Sequence, residues 1–177
     1  MKIMKELFTW ILYILIIIGL TIVINMFVGQ RTHVKGYSME PTLHNNDNLI
    51  VDKISYRFRE PSRFDIVVFP FDETGQTYYI KRIIGLPGEL IQIIDGQVYI
   101  NGMVLAEDYG NDLMDSPGIA AQPILLGEDE YFVLGDNRNR SSDSRDPHVG
   151  VQHRNDMLGR AFLRMWPLSD FGLIRHE

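Results

Sequence analysis

A mainly β, largely antiparallel body behind a single membrane-spanning helix is the fold class this sequence predicts, and three observations predict it. Residues 7–28 carry no charged side chain. Beyond them the chain is built from short β-branched and aromatic segments separated by Gly, Pro, Asn and Asp. At 177 residues, 45% hydrophobic and 23% charged, the composition is that of a folded protein, one domain with an appendage.

The apolar run, "LFTWILYILIIIGLTIVINMFV", has only Thr9, Thr21 and Asn25 as distinctly polar side chains. As a helix rising ~1.5 Å per residue it reaches about 33 Å, enough for a bilayer core of roughly 30 Å. A cleaved secretory signal has a shorter apolar core, ~7–15 residues, and ends at a small-residue site. Here "NMFVGQRTHV" offers no such site, so an uncleaved signal anchor is expected. Lys2 and Lys5 precede the run while Arg31 and Lys35 follow it. Counting the amino terminus tips this near-balance toward a short cytoplasmic tail, residues 1–6, with residues 29–177 outside. The bilayer is therefore an expected partner, and a single-pass position in the plasma membrane the expected location.

The segments after the anchor have a strand period. "NLIVDKISY", "DIVVFPF", "YYIKRIIG", "LIQIID", "QVYINGMVL" and "YFVLGD" are the expected strands. Asp95-Gly96 between "LIQII" and "QVYI" signals a type I′ hairpin, and Asn101-Gly102 is a second turn candidate. Residues 106–130, "AEDYGNDLMDSPGIAAQPILLGEDE", read as an acidic, loop-like surface insertion.

Charge and composition remove several functions. The net charge is -6, and no Lys or Arg stands between Arg82 and Arg138, so the basic stripe that nucleic acid requires is missing. There is no cysteine, which removes thiolate nucleophiles, disulfides and Cys-type zinc sites. His33, His44, His148, His153 and His176 show no HExxH or paired metal-ligand spacing. Neither metal nor cofactor is expected.

Three stretches hold residues that could do chemistry. "GYSMEPTL" (36–43) places Ser38 in a Pro-stiffened turn. On its own that serine reads as a turn residue. "YYIKRIIGLPGE" (78–89) puts Lys81 in a strand that is apolar on both faces, with Tyr79, Lys81 and Ile83 alternating against Ile80, Arg82 and Ile84. Desolvation there lowers a lysine pKa toward neutral, whereas arginine keeps its proton. The plain alternative is a strand lysine whose ammonium snorkels to water. Ser-Lys pairs are a known variant of triad chemistry, and His44, His148 or His153 remain alternative bases. "GDNRNRSSDSRD" (135–146) is dense in paired charge and hydroxyl groups, as suits a network bracing a site. It does not fit a calcium loop, with Pro147 at the twelfth position. Its Asn139-Arg140-Ser141 sequon is a pattern common by chance.

Together and in this order behind one anchor, "GYSMEPTL", "YYIKRIIGLPGE" and "GDNRNRSSDSR" resemble the motifs of type I signal peptidases, and "RFDIVVF" and "LGRAFLRMWPL" are similar to two further blocks of that family. The resemblance covers nearly the whole chain, the acidic insertion least, and the short single-span form looks like the Gram-positive bacterial kind. It implies a membrane-bound serine endopeptidase that removes signal peptides from secreted preproteins after small-x-small sites. It implies Ser38 as nucleophile and Lys81 as general base, with Ser141 orienting the lysine and Asp143 and Arg145 as a supporting charged pair. Val34, Met39, Tyr79 and Ile80 fall where family members line the pockets for small substrate side chains. Some members carry a serine two residues before the nucleophile that serves the oxyanion hole; Gly36 stands there here, which leaves more of that task to backbone N–H groups.

The position of Ser38 fits this reading. Ten residues separate it from Val28, so it lies at most ~33–36 Å beyond the membrane face, and a signal peptide is cut just past its own apolar span. Two other readings compete. A membrane-tethered, non-catalytic peptide-binding β-domain is disfavoured by intact Ser38 and Lys81. A self-cleaving repressor, which resembles the same Ser-Lys fold, is disfavoured by the anchor and the acidic charge.

Overall fold

A computed structural model describes residues 2–71, 77–110 and 112–176. Met1, Asn111 (within the 106–130 stretch) and Glu177 fall outside these, as do residues 72–76. Helix α1 (Lys2–Val23) continues through a π-type turn, Ile24–Val28, straight into strand β1 (Gly29–His33). The polar side chains of the apolar run are satisfied within it. Thr9 Oγ1 donates to the Lys5 carbonyl (2.9 Å), Thr21 Oγ1 to the Ile17 carbonyl (2.8 Å) and Asn25 Nδ2 to the Thr21 carbonyl (3.0 Å). Such internal pairing is what a hydrocarbon surrounding requires. The stretch Ile3–Val23 is long and apolar enough to cross a membrane, and none of it is buried against the body.

The body is two antiparallel sheets, as expected. The larger comprises β1, β2 (Asn48–Asp52), β3 (Ile66–Pro70), β4 (Tyr78–Gly85), β9 (Glu130–Leu134), β10 (Gln152–His153) and β11 (Gly159–Trp166), with β12 (Gly172–Leu173) against β11. Its order is β1-β2-β11-β3-β4-β9-β10. The smaller holds β5 (Leu90–Ile94), β6 (Gln97–Ile100), β7 (Met103–Val104) and β8 (Ile124–Leu125), in the order β7-β6-β5-β8. Asp95-Gly96 joins β5 to β6 with φ of 49° and 76°, and Asn101-Gly102 joins β6 to β7 with φ of 52° and 82°. Two consecutive positive φ values are the type I′ hairpin signature.

The sequence reading missed β11, which sits in the middle of the large sheet. Its pattern, "GRAFLRMW", is interrupted by Arg160 and Arg164, and these find carboxylates from elsewhere: Arg160 meets Asp65 at 3.4 Å and Arg164 meets Asp47 at 3.1 Å. Paired charges can stand in a strand that a lone pattern would reject. Residues 106–130 are loop-like over most of their length. They nevertheless supply β8 and bury Met114, Ala120 and Leu126 in the core with Ile91, Ile93 and Val98.

Both faces of β4 are covered. Ile80 packs with Val34, Met39, Leu43, Leu49, Val68 and Ala161, and Ile84 packs with Leu134, Phe132 and the smaller sheet's core. On the opposite face Ile83 packs with Val67, Phe69, Val133, Met157 and Tyr79. Lys81 and Arg82 are inserted into this buried strand, one on each face.

Candidate active site

The turn that carries Ser38 is fixed at both ends. Val34 N donates to the Asp47 carbonyl (2.9 Å) and Asn46 N to the Val34 carbonyl (2.9 Å), closing the loop into which β1 leads. Met39 and Leu43 are its apolar pins, 2% and 0% exposed in the core under β3 and β4. Leu43 N donates to the Met39 carbonyl (2.8 Å), and Arg164 donates to the Thr42 carbonyl. The Glu40-Pro41 peptide is cis. Gly36 has a φ of +94°, in the region that disfavours any side chain, and its N–H donates to Asn45 Oδ1 (2.9 Å). Ser38, half-buried, is the residue this rigid turn presents.

Lys81 meets it from β4. Its Nζ donates to Ser38 Oγ at 2.9 Å and to the Ile80 carbonyl at 3.0 Å, and lies 4.7 Å from the centre of the Tyr79 ring. The residue is 3% exposed, so the snorkelling alternative does not describe it, and among the described residues it forms no ion pair. Burial pushes its pKa down to about 8; the negative charges of Asp143 and Asp136 oppose that shift.

The third element is the loop after β9. Asn137 N donates to the Ser38 carbonyl (3.0 Å), which ties the loop to the serine turn. Gly135 lies so close that a Cβ there would collide with Ser141 Oγ and the Ser38 carbonyl, so only glycine fits. Asp143, 1% exposed, accepts from Gly135 N (3.1 Å) and holds Arg145 by two bonds, Nε to Oδ1 at 2.8 Å and an Nη to Oδ2 at 2.9 Å. The structure thus brings the expected supporting pair beneath the loop. Ser141 comes to the same place, but among the described residues its buried hydroxyl has no hydrogen-bond partner, and the bond to Lys81 implied by the resemblance is not formed.

Sequence reading gave no role to a second buried pair. Arg82, 0% exposed, forks onto Asp136 with Nε to Oδ1 at 2.8 Å and an Nη to Oδ2 at 2.6 Å. Thr42 Oγ1 donates to the same carboxylate (2.5 Å). Asp136 therefore joins the serine turn, the lysine strand and the third loop. The available signal was an arginine inside an apolar alternation, since such a residue needs a carboxylate from elsewhere in the chain.

A groove of about 440 Å³ runs past the serine and lysine, bordered by the 32–39 segment, 77–81, Arg140 and Ser142. Val34, Met39, Tyr79 and Ile80, the four expected pocket residues, all line it. The β4–β9 ladder begins at Arg82, so the start of β4 keeps an open edge toward the groove. Of the alternative bases, none lines it: His44 borders a neighbouring cleft, while His148 and His153 are exposed beside Asp146 and Asp129. Among the described residues no group of three or more His, Cys, Asp or Glu side chains is placed to hold a metal ion.

A family model described as signal peptidase, peptidase S26, matches residues 7–166. Probable signal peptidase I-2 of Synechocystis sp. is 44% identical over 163 residues, covering 89% of this chain and 72% of that protein. Signal peptidase I of Leptolyngbya laminosa is 42% identical over 166 residues, or 88% of this chain and 79% of the relative. Signal peptidase I of Bacillus licheniformis is 34% identical over 173 residues, or 94% and 92%.

Proposed function

This chain belongs to the signal peptidase family, peptidase S26, and is a serine protease that cleaves signal peptides from preproteins; from that premise we propose that Ser38 and Lys81 are its catalytic dyad. The observation that carries the proposal is the 2.9 Å contact between Lys81 Nζ and Ser38 Oγ. With a pKa of about 8, roughly half of Lys81 is neutral at pH 8, against less than ~1% of an exposed lysine. The neutral amine takes the Ser38 proton as Oγ attacks the scissile carbonyl. The ammonium then returns that proton to the departing amine of the mature protein, leaving an acyl-enzyme on Ser38. Water, deprotonated by the same amine, hydrolyses the ester and frees the signal peptide. Among the described residues the Ser38 N–H has no partner, and it is available to the oxyanion.

The substrate pairs as an extended strand with the open edge of β4 at 78–80, a recurring way of gripping peptides. Its small side chains, one and three residues before the cut, enter the space bounded by Val34, Met39, Tyr79 and Ile80. Asp143 and Arg145 support the loop that braces Ser38. Residues 7–28 anchor the enzyme in the membrane, residues 1–6 lie in the cytoplasm and residues 29–177 lie outside. The five residues of β1 advance about 17 Å from the anchor, which keeps Ser38 near the height at which a signal peptide leaves the bilayer.

The test is cleavage of a secreted precursor by the detergent-solubilised full chain, with the product's new N-terminus sequenced and the rate followed against pH. A cut after a small-x-small site, an acidic limb with an apparent pKa near 8 and no cleavage by Ser38→Ala are expected. Cleavage by Ser38→Ala at the wild-type rate rules out the dyad.

A further inference from the structure

The turn that follows β2 lies against the end of the anchor. Lys53 N donates to the Val28 carbonyl at 3.0 Å, extending the β1–β2 pairing onto the last helical residue. Asp52 caps the turn, accepting from Ile54 N (2.9 Å) and Ser55 N (3.0 Å). The short helix Ser55–Arg57 then swings the Arg57 guanidinium over the Phe27 ring, 5.2 Å from its centre. Phe58, next in the chain, is 85% exposed, more than any other large apolar residue of the body. Among the described residues Lys53 and Arg57 form no ion pair, while Arg59 beside them is bound to Asp65.

The depth of this turn follows from helix geometry. The anchor, residues 7–28, accounts for about 33 Å at ~1.5 Å per residue, the full thickness of a bilayer core. Phe27 then lies at the outer end of that span, and the turn packed against it enters a headgroup layer that is ~5–8 Å thick on each side. An aromatic ring and two unpaired cations held at that level have the chemistry of a membrane interface, the ring among upper acyl chains and the cations on lipid phosphates. We propose that Lys53, Arg57 and Phe58 form a second, interfacial contact with anionic phospholipid, which sets the tilt of the rigid body and so the height of the groove above the bilayer. A single helix joined to a body fixes distance from the membrane but not orientation; a second contact beside its exit does both.

The inference rests on the anchoring reading above, and the experiment separates the two. The full chain is reconstituted into phosphatidylcholine–phosphatidylglycerol vesicles that carry brominated acyl chains. Phe58→Trp is placed in a background of Trp10→Phe and Trp166→Phe, and its fluorescence is compared with that of native Trp166 in Trp10→Phe alone. Trp166 is the reference because it pairs with Asn48, at the end of β2 remote from the anchor-proximal Asp52. The indole at position 58 is expected to be blue-shifted and quenched by bromolipid well beyond Trp166. Arg57→Glu combined with Phe58→Asp is expected to slow cleavage of a vesicle-bound preprotein several-fold while a soluble peptide is cut at the unaltered rate. A chain that floats with the vesicles but shows no more quenching at position 58 than at Trp166 overturns this inference alone. A chain that fails to float overturns the anchoring reading and this inference with it.

Discussion

Lys81 and Arg82 are neighbours on β4, both buried, one on each face of the strand, and their surroundings treat them in opposite ways. Arg82 has a carboxylate on two of its nitrogens, donates to the Phe64 carbonyl (2.9 Å), and stacks 3.6 Å from the centre of the Tyr109 ring. Lys81 has a hydroxyl, a carbonyl and a ring, and among the described residues no ion pair. Burying a cation is costly on either face. A bidentate carboxylate offsets that cost for Arg82, so its charge becomes a fixed brace between β4 and the 135–137 loop. Nothing offsets it fully for Lys81, so the amine gives up its proton more easily, as a base must. Exchanging the two would spoil both, since guanidinium does not deprotonate in this range and an ammonium cannot form the fork.

The contrast can be broken most severely at position 81. Lys81→Arg keeps the charge and approximate length but not the acidity, and precursor cleavage should fall by about 10²–10⁴-fold or more. Normal cleavage by this variant would end the account of Lys81 as the base. Next in size is Asp136→Asn, which leaves Arg82 charged and unpaired in the core. Urea denaturation should show a loss on the order of 3–5 kcal/mol, much of it recovered when Arg82→Met and Asp136→Leu are combined. If Asp136→Asn unfolds at the wild-type urea concentration, the pair is not the brace described.

Lys81→Met should act in the other direction and stabilise the fold. The folded pKa of about 8 lies below the unfolded value of 10.5, so between these pH values the unfolded chain holds a proton that the folded chain has released. Native stability therefore rises with pH across that window, and the full penalty of the buried ammonium is present below about pH 8. The methionine variant should gain on the order of 2–3 kcal/mol at pH 7, a gain that shrinks toward pH 10. A gain in Tm that did not shrink on raising the pH would show that packing, not protonation, was responsible. Smallest of all is Ser141→Ala. Because the hydroxyl has no hydrogen-bond partner among the described residues, stability should change by less than about 1 kcal/mol and cleavage by no more than a few-fold. A collapse of kcat in this variant would instead mean that Ser141 reaches Lys81 once substrate is bound.

Local chemistry was legible in the chain by itself. An apolar run whose polar exceptions bond to the preceding turn of their own helix, strand segments with alternating burial, and Asp-Gly and Asn-Gly hairpins all depend on residues within a few positions of one another. The three motifs and their order were equally plain, as was the preference for lysine over arginine as a base, which is a property of the side chain alone. Tertiary structure decided what those residues meet. Ser38 and Lys81 are 43 positions apart, Arg82 and Asp136 54, Thr42 and Asp136 94. Strand β11 was not among the segments read as strands, and in the fold Asp65 and Asp47 reach the arginines that interrupt its pattern. Ser141 was expected on Lys81, yet among the described residues its buried hydroxyl has no hydrogen-bond partner. Burial and charge pairing are properties of a packed neighbourhood, and the partners of Lys81 and Arg82 that matter most, Ser38 and Asp136, come from distant parts of the chain.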